Sequence, residues 1–177
     1  GAGICPVRGH SNVQGDRTMG IWEKPSADFL ARLAKRFAFT PPAENGLDTI
    51  ATINAMATGR VKALLALGGN FMTATPDAEY TARAIRSCSL TVQISTKLNR
   101  SHLVTGATAL ILPTLGRSEV DIQPSGMQFV TVENSMGVVT PSRGHLPPAS
   151  QHLRSEVRIV SEIAEAVIGT RRNIRWL

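Results

Sequence analysis

The sequence predicts an α/β fold in three layers with a mostly parallel sheet, and three observations carry that prediction. Val61 to Leu67 is an apolar run but for Lys62 and stops at Gly68-Gly69. A helical pattern over 76–88 is followed directly by two strand patterns, 90–95 and 108–112. Past Pro113 the texture changes to alternating apolar and polar residues, which predicts a more irregular C-terminal extension. A short run that is apolar on both faces reads as a strand in the middle of a parallel sheet. A strand, a helix and a strand at this spacing make a right-handed crossover.

Residues 1–25 lack periodicity and are rich in glycine, so they read as a long loop, functional or poorly ordered as long loops usually are, ahead of a domain spanning 26–177. Ser26 is placed to cap a helix to about Phe37, with Phe29, Leu30, Leu33 and Phe37 on its apolar face. Leu47 to Thr58 reads as a second helix, stopped by Gly59. In the third, Pro76 to Cys88, Asp77 and Glu79 open the helix and Arg83 and Arg86 close it, as the helix dipole favours. Asn99 to Val104 reads as a helical turn broken at Gly106. Gly126 to Glu133 reads as one exposed strand that Val138-Val139 pairs with, and Ser155 to Ile168 as the last helix. A basic tail, 170–177, ends in Trp176-Leu177, and the chain begins at Gly1 without methionine; both features suggest a piece of a longer chain.

Composition narrows the partners. The 177 residues are 42% hydrophobic, enough for a sizeable core and too much for a wholly disordered chain. There is no stretch of about 20 apolar residues, so no membrane helix is expected. A net charge of +6 favours anionic partners such as nucleotides and phosphates. Aromatics are only 5% and the basic residues form no dense tract, which argues against a nucleic-acid module. Cys5 and Cys88 are too few and too far apart for a disulfide framework or a metal knuckle, which suits a reducing, cytoplasmic setting.

Candidate chemistry gathers at three places. Ligands of parallel sheets bind beyond the carboxyl ends of the strands. Gly68 and Gly69 lie at such an end, where missing side chains let a ligand approach the backbone; a plain tight turn is the simpler reading of the pair. Ser95-Thr-Lys-Leu-Asn-Arg-Ser-His102 follows the next strand and brings hydroxyls, amides and cations to the same edge. Thr96, Lys97 and Asn99 are therefore candidates for ribose, phosphate or base contacts. In the first loop Arg8 and His10 flank Gly9, and a guanidinium beside an imidazole can hold a small anion. Glu119 and Asp121 form a carboxylate pair that suits acid–base work or pairing with Arg117.

These residues also carry a resemblance. Arg8-Gly-His-Ser-Asn-Val-Gln-Gly-Asp-Arg-Thr-Met-Gly20 resembles the R-G-Q-N-N-V-Q-G-x-x-x-M-G segment of formate dehydrogenase catalytic subunits, which are molybdopterin oxidoreductases. Ala66-Leu-Gly-Gly-Asn70 is similar to that family's M-G-x-N turn, and Ala109-Leu-Ile-Leu-Pro113 with Glu119 to its A-D-V-I-L-P segment and following glutamate. The resemblance implies an internal Rossmann-like α/β domain that cradles one molybdopterin guanine dinucleotide. Arg8 would then stand by the metal centre and help bind a small anionic substrate such as formate. His10 would replace the family's glutamine near the pterin. Gly9, Gly68, Gly69, Asn70, Ser95, Thr96, Lys97 and Asn99 would serve the cofactor, with Ser95 standing where formate dehydrogenases carry an aspartate. The family's T-E-G-R stretch appears as Val132-Glu-Asn-Ser-Met136, without its arginine. The molybdenum ligand and any iron–sulfur cysteines would lie elsewhere in a parent chain, whose remaining domains are the implied partners. A fragment of this kind would not catalyse alone. The rival reading is a stand-alone nucleotide-binding regulatory module, in which Arg8 and His10 have no part.

Overall fold

The computed structural model describes residues 24–134 and 136–169. In chain order its elements are α1 (Ala27–Phe37), α2 (Thr49–Ala57), β1 (Ala63–Leu67), α3 (Phe71–Ala74), α4 (Ala78–Arg86), β2 (Leu90–Ser95), a 3₁₀ turn (Arg100–Leu103), β3 (Thr108–Pro113), β4 (Ile122–Gln123), β5 (Gly126–Met127), β6 (Val130–Glu133), β7 (Val139–Ser142) and α5 (Glu156–Ile168). They divide into two units, residues 24–47 with 129–142 and residues 48–128 with 143–169.

In the smaller unit, α1 starts where Ser26 accepts a hydrogen bond from the Phe29 N–H at 3.2 Å. It ends at Ala38, which adopts a left-handed conformation. β6 and β7 pair antiparallel from Val130↔Ser142 to Glu133↔Val139, as the pattern around Val138-Val139 implies.

The larger unit is a three-layer α/β sandwich. β1, β2 and β3 are parallel in that spatial order, in a register that runs from Ala63↔Leu90 to Leu67↔Ile94 and from Leu90↔Thr108 to Ser95↔Pro113. Side chains alternate across β2. Leu90, Val92 and Ile94 pack against Leu112 and against Ile159 and Ile163 of α5. On the opposite face, Ile53 and Met56 of α2 meet Ala82, Ala84 and Ile85 of α4, with Leu64, Cys88 and Val104. The polar residues of β2 on that face are satisfied: Gln93 Nε2 donates to the Ser101 carbonyl at 3.0 Å and Thr91 Oγ1 accepts from the Gly106 N–H at 3.2 Å. Asp48 and Asp77 cap α2 and α4 through the Ala51 and Tyr80 N–H groups, at 2.8 and 2.9 Å.

Two expectations about the strands need correction. The apolar run 61–67 does not lie mid-sheet: β1 is an edge of the described sheet, and β2 is the buried centre. Leu64 is packed, but Leu65 and Leu67 are 51% and 52% exposed, and Leu110 of β3 on the same face is 48% exposed. The apolar run marks a strand that requires cover on both faces, and the described residues cover only one. The single strand 126–133 is two: β5 folds back on β4, while β6 pairs with β7. The Gln128 N–H donates to the Asp121 carbonyl at 2.8 Å at that break. The short α3 and β4 had no periodic signature, because neither completes a period.

Glu119 is a clamp rather than an acid–base partner of Asp121. Its Oε2 accepts from the Gly116 N–H at 2.6 Å and its Oε1 from the Ala149 N–H at 2.5 Å. The Gly116 bond first, then the Ala149 bond, holds its carboxyl below the ordinary glutamate range. The folded pKa is depressed, so this stabilisation is present above the unfolded glutamate pKa of about 4.3 and is lost as pH falls through the folded value. Protection of the Gly116 and Ala149 amides, relative to their intrinsic exchange rates, is expected to fall as pH drops through the lowered Glu119 pKa, below the ordinary glutamate value of about 4.3. In Glu119→Gln the exchange should already be fast at neutral pH and should lose its acid step; an acid step that survives there would assign the titration elsewhere.

A candidate ligand site at the strand ends

β1 ends in two glycines, both left-handed, at φ 64° for Gly68 and 66° for Gly69. The Gly68 N–H donates to the Ile94 carbonyl at 2.8 Å, which ties this turn to the end of β2. A Cβ on Gly69 would meet nothing within 4 Å, so the turn faces open space. The glycines are needed here for backbone conformation, not for packing. Among the described residues, the Gly69 and Asn70 N–H groups donate to no partner. Adjacent free N–H groups in a turn, here at left-handed Gly69 and at Asn70, suit an anion.

The 96–102 segment closes over this turn. Asn99 Nδ2 donates to the Gly69 carbonyl at 2.7 Å, and Asn99 Oδ1 accepts from the Ser101 N–H at 2.9 Å. Ser101 Oγ donates to Asn70 Oδ1 at 2.7 Å and accepts from the Met72 N–H at 3.0 Å. His102, 8% exposed, accepts the Asn99 N–H at Nδ1 at 3.0 Å. That bond leaves Nε2 to carry the ring proton, and Nε2 is buried without a partner among the described residues. Ser95 Oγ donates to the Lys97 carbonyl at 2.8 Å, which shapes the turn after β2. Thr96 and Lys97 are exposed, and Lys97 makes no ion pair among the described residues.

β3 joins the same edge. The Thr114 N–H donates to the Ser95 carbonyl at 3.2 Å, and Thr114 Oγ1 donates to the Arg154 carbonyl at 2.7 Å. That second bond sets the start of α5 against the strand ends. Glu156, the first residue of α5, brings its Oε1 to 3.9 Å from where a Cβ of Gly68 would stand. A separate groove of about 520 Å³ runs along α5 past Leu112, Pro113, Ile159 and Ile163, away from the glycine turn.

The predicted residues Gly68, Gly69, Asn70, Ser95, Thr96, Lys97 and Asn99 thus share one rim. Arg8, Gly9 and His10 lie outside the described residues. Residue-by-residue reading missed Ser101, His102 and Glu156. Ser101 and His102 stood inside the quoted segment, and only the fold reveals that they hold Asn99 and Asn70. Cys88 is buried against the Ala84 carbonyl, and burial pushes its thiol up, so it is not poised as a nucleophile. Among the described residues no three His, Cys, Asp or Glu side chains converge on a metal site, and no helix is long and apolar enough to cross a membrane.

Three parallel strands with helices on their faces define an α/β domain, and its strand-end rim is where ligands of such sheets bind. No family model matches the chain. It is 57% identical over 176 residues to a Mycobacterium tuberculosis protein named an uncharacterized oxidoreductase, covering 99% of this chain and 23% of that protein. It is 55% identical over 168 residues to protein YdeP of Escherichia coli, covering 95% of this chain and 22% of that protein. A nitrate reductase of Shewanella frigidimarina is 25% identical over 177 residues, covering 93% of this chain and 17% of that protein. The chain therefore spans less than a quarter of the length of these relatives.

Proposed function

We propose that this chain is the cofactor-binding α/β domain of a molybdopterin-dependent oxidoreductase resembling formate dehydrogenase, and that its strand-end rim holds one molybdopterin guanine dinucleotide. The observation that carries the reading is the 2.7 Å bond from Asn99 to the Gly69 carbonyl, which joins two independently suspected segments into one rim. The names of the relatives support the oxidoreductase class. The loop at 8–20 is the feature that points within that class to the pterin cofactor.

The residues fit such a group. The free N–H groups of Gly69 and Asn70 suit a phosphate oxygen, Lys97 supplies the countercharge, and Thr96 offers a hydroxyl. The open space above Gly69 leaves room for the ligand. When bound, the cofactor supplies the two-electron chemistry, and the protein supplies binding and orientation. Arg8 and His10 would hold a small anion such as formate by charge and hydrogen bonding. The exposed apolar face of Leu65, Leu67 and Leu110 suits burial against further parts of a longer chain, since parallel sheets are covered on both faces. Such parts would hold the second dinucleotide, the metal ligand and any iron–sulfur cluster.

Calorimetric titration with guanosine diphosphate tests the rim. Binding is expected, and Lys97→Ala should weaken it by roughly tenfold, the worth of one charge-assisted contact. Absence of binding by the wild-type chain would overturn the reading.

A further inference from the structure

We infer that Glu156 is the specificity-determining residue of the rim, and that it accepts hydrogen bonds from a pair of adjacent donors on the bound nucleotide. The inference rests on the ligand reading of the rim given above and adds a residue to it. A nucleotide presents two kinds of group to a protein. Its phosphates are anionic acceptors, and its ribose hydroxyls and guanine edge are donors. Gly69, Asn70 and Lys97 match only the first kind.

The second kind requires an acceptor; Thr96 offers one neutral hydroxyl, and three other polar side chains of the rim are engaged. Ser95 Oγ donates to the Lys97 carbonyl, and Asn99 Oδ1 already takes the Ser101 N–H. Asn70 Oδ1 is occupied by Ser101 Oγ. Glu156 differs from all three. It is exposed, and no hydrogen bond or ion pair holds it among the described residues, whereas Glu162 on the same helix pairs with Arg158 at 2.7 Å. Its carboxylate stands 3.9 Å from the missing Cβ of Gly68, beside the turn where the ligand backbone would lie. The Thr114–Arg154 bond fixes the helix start that carries it. A carboxylate has two oxygens in one plane, which matches two neighbouring donors. The rim is thus polarised: a cation and free N–H groups for phosphate, and a carboxylate for a donor pair. That polarity would fix which way round a nucleotide lies.

Two donor pairs share this chemistry, the ribose vicinal diol and the guanine N1–H with its 2-amino group. Titration of the 177-residue chain with guanosine diphosphate, its 2′-deoxy analogue and inosine diphosphate distinguishes them. Glu156→Gln is expected to weaken guanosine diphosphate by roughly tenfold or more, since one hydrogen bond to a charged group is worth about that much. Inorganic pyrophosphate should bind the variant as it binds the wild type, which also shows that the variant is folded. If the diol is the source, the deoxy analogue binds the wild type weakly and Glu156→Gln weakens it no further. If the base edge is the source, inosine diphosphate behaves that way instead. Unchanged affinity of Glu156→Gln for guanosine diphosphate, or an equal loss for all three nucleotides, overturns the inference while the rim reading stands. A wild-type chain that binds pyrophosphate but no better when guanosine is attached overturns it as well. Failure to bind any of these ligands overturns both.

Discussion

Replacing Gly144 by alanine is expected to destabilise the larger unit by about 3 kcal/mol, near the upper end of overpacking effects. The segment 144–146 runs beside 118–120. The His145 and Leu146 N–H groups both donate to the Ser118 carbonyl at 2.9 Å, and the Val120 N–H donates to the Leu146 carbonyl at 2.9 Å. A Cβ on Gly144 would fall onto the backbone of Glu119, against its carbonyl and 2.6 Å from its nitrogen. Backbone cannot step aside here as a flexible side chain could. Moving residue 119 would break the three bonds just named and draw the Glu119 carboxylate away from Gly116 and Ala149. Gly46→Ala makes the control, because a Cβ there meets nothing within 4 Å. Urea unfolding measures both variants. A Gly144→Ala midpoint equal to that of Gly46→Ala would show that the two segments separate at little cost.

What the sequence made legible was local. Ser26 and the periodic leucines placed α1, and the turn signals at Gly68-Gly69 and Gly106 placed the ends of β1 and the start of β3. The shared rim was also legible, because parallel strands in one sheet must end on the same side. The rest is non-local. Val61 to Leu67 is the more apolar of the two and Leu90 to Ser95 alternates with Thr91, Gln93 and Ser95, yet it is the alternating one that has neighbours on both sides. Glu156 reads as an ordinary acid in the first turn of a helix. Its place beside Gly68 follows from where α5 crosses the sheet, which depends on Ile159 and Ile163 packing on Val92 and Ile94. The Asn99–Gly69 bond joins residues 30 positions apart, so the sequence offered Asn99 as a ligand contact without showing that its amide already binds the protein.

That bond makes the second large effect. Asn99→Ala is expected to cost roughly 2 kcal/mol of stability, from a lost cap and a carbonyl left without its donor. It should also weaken guanosine diphosphate at least roughly tenfold if the rim binds it, because Gly69 is held in shape from this side chain. Asn99→Asp separates the two effects. Its carboxylate keeps the acceptor for the Ser101 N–H, so most of the cap survives. It has no N–H for the Gly69 carbonyl and sets a negative oxygen against it, next to the turn where phosphate would lie. Stability should therefore fall less in Asn99→Asp than in Asn99→Ala, while affinity falls at least as far. Thermal unfolding and nucleotide titration on the same pair of variants read the two quantities. Affinity that tracks stability across the pair would mean that the turn keeps its shape without Asn99. Affinity lost most in the more stable variant would mean that Asn99 sets the geometry at which Gly69 and Asn70 meet an anion.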